Sequence, residues 1–472
     1  MRSVNAEGAK GGRKVNLPGC GEAEETPALV PAQPDKQAGE ALWEKYGAQR
    51  TIWSEKMLIA LERGLKGRKW FSLIDKVARD GTLLLAWEKV RSNAGGCGVD
   101  GITIDRYEKT ARKRLLVVKE RLLSGEYQPK PVKRVRIPKP GSKETRPLGV
   151  PTVEDRVVQQ ALRMVIEPIF ESLFAGHSYG FRPGRSCHDA LRRVHGQLVG
   201  GQAHVVDIDI KGYFDAIDQK RLMELVRERI ADGRVLELLE KFLQAGVLED
   251  GVYTVNEEGT PQGGVISPLL ANLYLNELDH LLAKSGHAVT RYADDMVILC
   301  GSAEEAELAL DRVRNWMTQA QLSLHPEKTR IVDMNQKRAS FDFLGYRFLH
   351  SGKGKMLRLV RPKSLAKLKE SIRGKTRRCN GHSMEVIIQR INPVLRGWFE
   401  YFKQAFHTEL REVDGWTRMR LRSIYRKRHG KRGRGRGNDH HKWPNRHFSQ
   451  LGLFSLKEAK LEAISLHRGV KH

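Results

Sequence analysis

Two acidic clusters have the residue types and spacing for metal-assisted chemistry. In Val205-Val206-Asp207-Ile208-Asp209-Ile210 the side chains alternate as on a half-buried strand, so Asp207 and Asp209 share one face and Val206, Ile208 and Ile210 the other. On its own such a pair is more readily a solvated strand edge than a catalytic one. The second cluster changes the balance, because Asp294-Asp295 lies between Val289-Thr290-Arg291-Tyr292-Ala293 and Met296-Val297-Ile298-Leu299, the pattern of a hairpin with carboxylates at its tip. If the two strands are neighbours, Asp209 and Asp294 can hold two divalent ions roughly 3.5–4 Å apart, an arrangement that stabilises both the attacking and the leaving oxygen in phosphoryl transfer. Magnesium suits such a site, since it takes few carboxylates and fills its remaining positions with phosphate and water.

Several elements must position these acids. Val157, Ala161, Val165 and Ile169 recur every four residues and predict an amphipathic helix from Val157 to Phe174. Ser267 is the expected N-cap of a second helix, with Pro268 in its first turn and Leu270, Tyr274 and Leu278 along its core face. Helical spacing also runs from Thr51 to Trp87, with Leu58, Leu61, Leu65, Leu73, Val77 and Leu84 as its apolar positions. Between the acidic clusters, Gly259-Thr260-Pro261-Gln262-Gly263-Gly264 is a loop that lets backbone approach a ligand closely. Helix and strand signals alternate irregularly, which indicates an α+β fold.

At this point the sequence resembles the reverse transcriptases. Asp209 to Asp215 (Asp-Ile-Lys-Gly-Tyr-Phe-Asp) is similar to that family's first catalytic block and Tyr292-Ala293-Asp294-Asp295 to its Tyr-x-Asp-Asp box. The resemblance implies a right-hand polymerase with fingers and palm of antiparallel sheet plus helices and a helical thumb. It makes Asp209, Asp294 and Asp295 the carboxylates for two Mg2+ ions, with the Ile210 carbonyl as a further ligand. It also places Phe214 against the sugar of the incoming dNTP, Gln262 beside the nucleotide, Lys139 and Arg146 on its triphosphate, and Arg182 against template or nucleotide. Lys328, in Leu324-His325-Pro326-Glu327-Lys328-Thr329, is a candidate for easing proton transfer to pyrophosphate or an ordinary surface lysine.

The flanks narrow the lineage. Asn93 to Gly101 resembles the amino-terminal extension of group II intron enzymes. Asn392 to Phe402, with Arg396 and Trp398, resembles the start of their basic helical maturase domain, which binds intron RNA. Arg418, Arg422 and Arg426 then fall on one helix face and are expected to contact RNA. The expected division is a disordered leader over 1–42, fingers and palm over 43–350, the start of the thumb over 351–375 and a thumb and maturase unit over 376–472.

The 83 Lys and Arg residues against 56 Asp and Glu give a net charge of +27, which calls for a polyanionic partner. The expected partners are group II intron RNA, an RNA template with DNA primer, and target DNA. The five cysteines are scattered singly and form no CxxC pair, so the chain is similar to relatives without an endonuclease, as in group IIC introns. With neither a signal peptide nor a membrane span in the sequence, the expected compartment is the cytoplasm. Two other functions compatible with these motifs are a reverse transcriptase recruited to phage defence or diversification, and an RNA-binding splicing cofactor that no longer polymerises.

Overall fold

The structure, a computed structural model, describes residues 52–54, 57, 59, 69–138, 145–256, 258–351 and 354–469. The leader expected over 1–42, the positions Leu58, Leu61 and Leu65, and Lys139 lie outside the described residues. The strands are β1 (Val132–Pro138), β2 (Thr145–Val150), β3 (His204–Asp209), β4 (Val247–Glu249), β5 (Val252–Thr254), β6 (Ala288–Tyr292), β7 (Asp295–Cys300), β8 (Arg330–Asp333), β9 (Ser340–Phe343), β10 (Tyr346–His350) and β11 (Met356–Val360).

They form three sheets, in the orders β2-β1-β4-β5, β6-β7-β3-β8 and β11-β10-β9. All neighbours are antiparallel except β1 and β4. This is the α+β arrangement of antiparallel sheets and helices that the sequence predicts.

The central sheet is buried on both sides. Val206, Ile208, Met296 and Ile298 join the core formed with the Ser267–Lys284 and Ala303–Gln319 helices, where Leu270, Tyr274 and Leu278 are fully buried. On the opposite face Val205, Val297 and Leu299 pack on the Cys187–Val199 helix and on Phe341, Phe343 and Phe348 of the small sheet. Side chains alternate along a strand, so Asp207, Asp209 and Asp295 share the face of Val205, Val297 and Leu299. That face is apolar at the His204 end of β3 and acidic at the other.

Three expectations change. The helix expected from Val157 runs Val153–Glu171, and 16 of its 19 residues are buried, so it is enclosed nearly all round rather than along one stripe. Its polar residues are matched: the Gln159 carbonyl accepts the Val265 N–H at 2.7 Å, and Glu171 pairs with Arg182 at 2.7 Å.

The N-cap of the Ser267–Lys284 helix is Ile266, because the Ser267 hydroxyl donates to the Pro261 carbonyl at 2.9 Å and ties the preceding loop instead of capping. The stretch ending at Trp87 is broken into Ile74–Val77 and Asp80–Asn93 by extended backbone at Arg79, and Leu84 faces solvent at 48 % exposure. Strand β11 belongs with β9 and β10, while the Pro362–Lys375 helix puts Leu368 and Ile372 into one core with the Met384–Phe402 and His407–Arg428 helices. The Pro362–Lys375 helix, within the expected start of the thumb, thus shares a core with the helices expected after 376. Among the described residues no helix is long and apolar enough to cross a membrane.

Leu270→Ala is expected to lower stability by about 2–5 kcal/mol in denaturant unfolding, because it opens a cavity in the main core. Leu84→Ala should change it by less than about 0.5 kcal/mol. Equal losses would contradict this placement of the helix.

Candidate active site and RNA-binding surface

The register of β3 on β7 sets Asp209 directly opposite Asp295. Tyr292 pairs with Asp295 across β6 and β7, which leaves Ala293-Asp294 as a two-residue turn with Ala293 at φ +59°. A non-glycine residue there needs support, and Arg291 supplies it. Its fully buried guanidinium donates to the Ala293 carbonyl at 2.9 Å, to Asn272 Oδ1 at 2.8 Å and to the Asp279 carboxylate at 2.5–3.0 Å. Asn272 in turn donates to the Gly180 carbonyl at 2.8 Å. A Cβ on Gly180 would meet the Ala293 nitrogen at 2.3 Å, so only glycine lets this loop press against the turn.

Burial raises the carboxyl groups. Asp294 lies above the usual carboxylate range, mainly through desolvation, with the Asp209 charge adding to it. Asp295 is pushed up to about 7 by burial, then by Asp207 and Asp294, and Asp207 to about 6 by burial against the opposing pull of Arg330. Cations rim the cleft: Lys328 Nζ lies 3.2 Å from Asp209 and Arg330 Nε 3.7 Å from Asp207. The cleft encloses about 930 Å3, with Asp342, Arg361 and the Ile210 backbone also on its wall. The isolated bridge of Ile210 to Leu324 uses the N–H of Lys211 and of His325. Among the described residues none donates to the Ile210 carbonyl. The donor set is therefore all hard oxygen, which suits Mg2+.

The nucleotide candidates divide. Phe214 is half-buried on the Tyr213–Asp215 turn, and its carbonyl accepts the Thr260 N–H at 2.7 Å. Gln262 donates to Asp215 at 2.9 Å, and its carbonyl accepts the Gly149 N–H of β2 at 2.6 Å. Arg146 is exposed on the same strand. These three are linked to one another through Thr260, Asp215 and Gly149.

Arg182 is not. It is 7 % exposed and donates to Glu171 and to the carbonyls of Ala175 and Ser178, so the expected contact with nucleotide is corrected to a buried brace. Sequence reasoning also missed Arg291 and Asp279. The available signal was an arginine in the middle of an otherwise inward-facing strand, which requires a buried partner.

The expected arginine track fails for a similar reason. Arg422 is 2 % exposed, donates to the Trp443 carbonyl and to Asn445 Oδ1, both at 2.8 Å, and lies over Phe448. Arg426 donates to the Arg432 carbonyl at 2.7 Å and to Asp439 at 2.8 Å. The four-residue spacing does align one face of the His407–Arg428 helix, but that face covers the segment after it. Arg418 is half-buried. Trp398 is partly buried between two apolar clusters, 4.8 Å from Phe402, and packs rather than stacks on a base. Arg396 remains exposed over the Phe454 ring.

A carboxylate hairpin on an antiparallel sheet, with a glycine loop and a basic strand pair beside it, defines a divalent metal-dependent polymerase palm. Residues 137–348 match the family described as reverse transcriptase (RNA-dependent DNA polymerase), and residues 365–443 match the group II intron, maturase-specific domain.

The chain is 38 % identical over 291 residues to Protein YkfC of Escherichia coli (strain K12), covering 53 % of this chain and 75 % of that one. It is 43 % identical over 195 residues to the group II intron-encoded protein LtrA of Lactococcus lactis subsp. cremoris, covering 41 % of this chain and 32 % of that one. It is also 26 % identical over 402 residues to the putative COX1/OXI3 intron 1 protein of Saccharomyces cerevisiae, covering 72 % and 46 %. The chain thus spans three quarters of the first relative but less than half of the other two. It belongs to the family of group II intron-type reverse transcriptases, in which an RNA-directed DNA polymerase domain precedes a maturase-specific domain.

Two outcomes are expected. Since Asp294 and Asp295 are raised, an ion must displace protons below about pH 7, so Mg2+ affinity measured by calorimetry should fall, with rising proton release, as pH drops from 8 to 6. A pH-independent affinity would contradict it. Arg422→Met should destabilise the helical unit by about 1–3 kcal/mol while leaving the salt dependence of RNA binding unchanged. A flatter salt slope would return Arg422 to the RNA surface.

Proposed function

We propose that this chain copies group II intron RNA into DNA from a primer end and helps that RNA to splice and to move into target DNA. The observation that carries the reading is the pairing of Asp209 with Asp295 beside the braced Asp294 turn, in a chain that also matches a maturase domain. Asp209, Asp294, Asp295 and the Ile210 carbonyl would hold two Mg2+ ions, which when bound activate the primer hydroxyl and neutralise the leaving phosphates.

The chain's own residues do the remaining work. Phe214, fixed by the Thr260 hydrogen bond, crowds the 2′ position and favours dNTPs. Gln262, held between Asp215 and β2, lines the base-pair side of the pocket. Arg146, with Lys139, takes the triphosphate, a task that suits fork-shaped and point cations. Lys328, already at the Asp209 carboxylate, is placed to hold a proton for the departing pyrophosphate. In the helical unit, exposed Arg396 and the glycine-spaced Lys431, Arg432, Arg434 and Arg436 form the RNA-facing cations.

The test is primer extension on an RNA template with Mg2+ and dNTPs, run beside splicing of intron RNA. Asp294→Asn should reduce extension by about 10²–10³-fold, by analogy with the loss of one group that stabilises transition-state charge, with RNA binding retained. Normal extension by this variant would overturn the active-site assignment, and loss of binding with it would mean that the fold had been damaged.

A further inference from the structure

At the other end of the Asp295 hairpin lies a second cluster with the chemistry of a metal site. Ala288 pairs with Leu299, so His287 and Cys300 are the next cross-strand neighbours, at the open end of β6 and β7. Cys300 lies five steps along β7 from Asp295, or ~17 Å of extended chain, so this place is distinct from the carboxylate cleft. Glu305 joins from the first turn of the Ala303–Gln319 helix. One ligand atom from each of the three lies within 4.8 Å of the others.

The surroundings direct these atoms at a common point. The His287 side chain is 5 % exposed, and its Nδ1 is buried with no hydrogen-bond partner, 3.7 Å from Glu305 Oε1. The other Glu305 oxygen is occupied by the Gly301 N–H at 2.8 Å, which leaves Oε1 facing the imidazole. Cys300 is fully buried. Arg312 approaches the opposite ring nitrogen at 3.3 Å, and being exposed it can turn to solvent when Nδ1 becomes a ligand and Nε2 carries the proton. Glu305, 39 % exposed, gives the cluster an open side for entry and for a water ligand.

We propose that His287, Cys300 and Glu305 form a zinc site that clips the base of the catalytic hairpin to the following helix. A thiolate, an imidazole and a carboxylate with one open position are borderline-soft donors that suit Zn2+, whereas Mg2+ prefers oxygen alone. On binding, the Cys300 S–H bond breaks, a sulfur–zinc bond forms and the proton passes to solvent. Cysteine spacing in the sequence gave no sign of it, because one cysteine, one histidine and one glutamate meet only when the hairpin and the helix are folded together.

The test titrates the full chain, stripped with a chelator, with Co2+ as a spectroscopic stand-in. The expected result is a thiolate-to-cobalt absorption band saturating at one ion per chain, displaced by Zn2+, with Zn2+ raising the melting temperature. The band should vanish in Cys300→Ser, bind cobalt more weakly in Glu305→Gln, and persist in Asp294→Asn, which separates it from ions in the carboxylate cleft. Absence of the band at stoichiometric cobalt, or its survival in Cys300→Ser, would overturn the proposal. If Cys300→Ser fails to fold, unchanged cobalt affinity in Glu305→Gln would overturn it equally.

Discussion

A positive charge sealed beneath the Ala293-Asp294 turn has to be satisfied, and much of the palm is arranged around that need. Taking the Arg291 guanidinium out of water is costly unless its donors are met, and breaking such a buried pair typically costs about 3–5 kcal/mol. Asp279, from the Ser267–Lys284 helix, meets it with charge, and Asn272, two turns earlier on the same face, meets it with a side-chain carbonyl. A further N–H goes to the carbonyl of Ala293, whose backbone sits at positive φ. Helix, hairpin and the Ser178-Tyr179-Gly180 loop are thereby locked in one relative placement.

That placement explains how three carboxylates come to share a small volume. Burial raises the proton affinities of Asp207 and Asp295, and the neighbouring carboxylates add to the effect. An isolated strand would turn such residues outward. Here Val205, Val297 and Leu299 on the same face are committed to the core against the small sheet, and a shift of one residue in register would exchange the two faces. Apolar burial at one end of the strands holds the acids together at the other.

The period-two alternation of residues 205–210 and the Asp-Asp turn were legible in the sequence because they are local patterns, and the register merely joined them. The reach of the Val153–Glu171 helix was legible as a stripe, but not its enclosure, since the partners of Gln159 and Glu171 lie at Val265 and Arg182. Arginines were the least legible residues. Arg182, Arg422 and Arg426 have the composition and spacing of phosphate contacts, and the fold spends them on backbone carbonyls and acids that come close only in three dimensions. Charge counts predict that a polyanion binds; they do not say which cations are left to bind it.

Strand β2 and the Gly259–Gly264 loop meet backbone to backbone at Gly149 and Gln262, where the N–H of the first donates to the carbonyl of the second. Neither side has room to spare: a Cβ on Gly263 would meet the Gly149 oxygen at 2.3 Å, and one on Gly149 would meet the Val132 side chain at 2.9 Å. Positions 132, 149 and 263 therefore form a single steric unit, although the first and last are 131 positions apart in the chain. Natural variation should treat them accordingly. A lineage that enlarges one of these residues must shrink or shift another, so drift here is correlated, and a change in the β1–β2 pair can displace the Gly259–Gly264 loop without altering any residue of that loop.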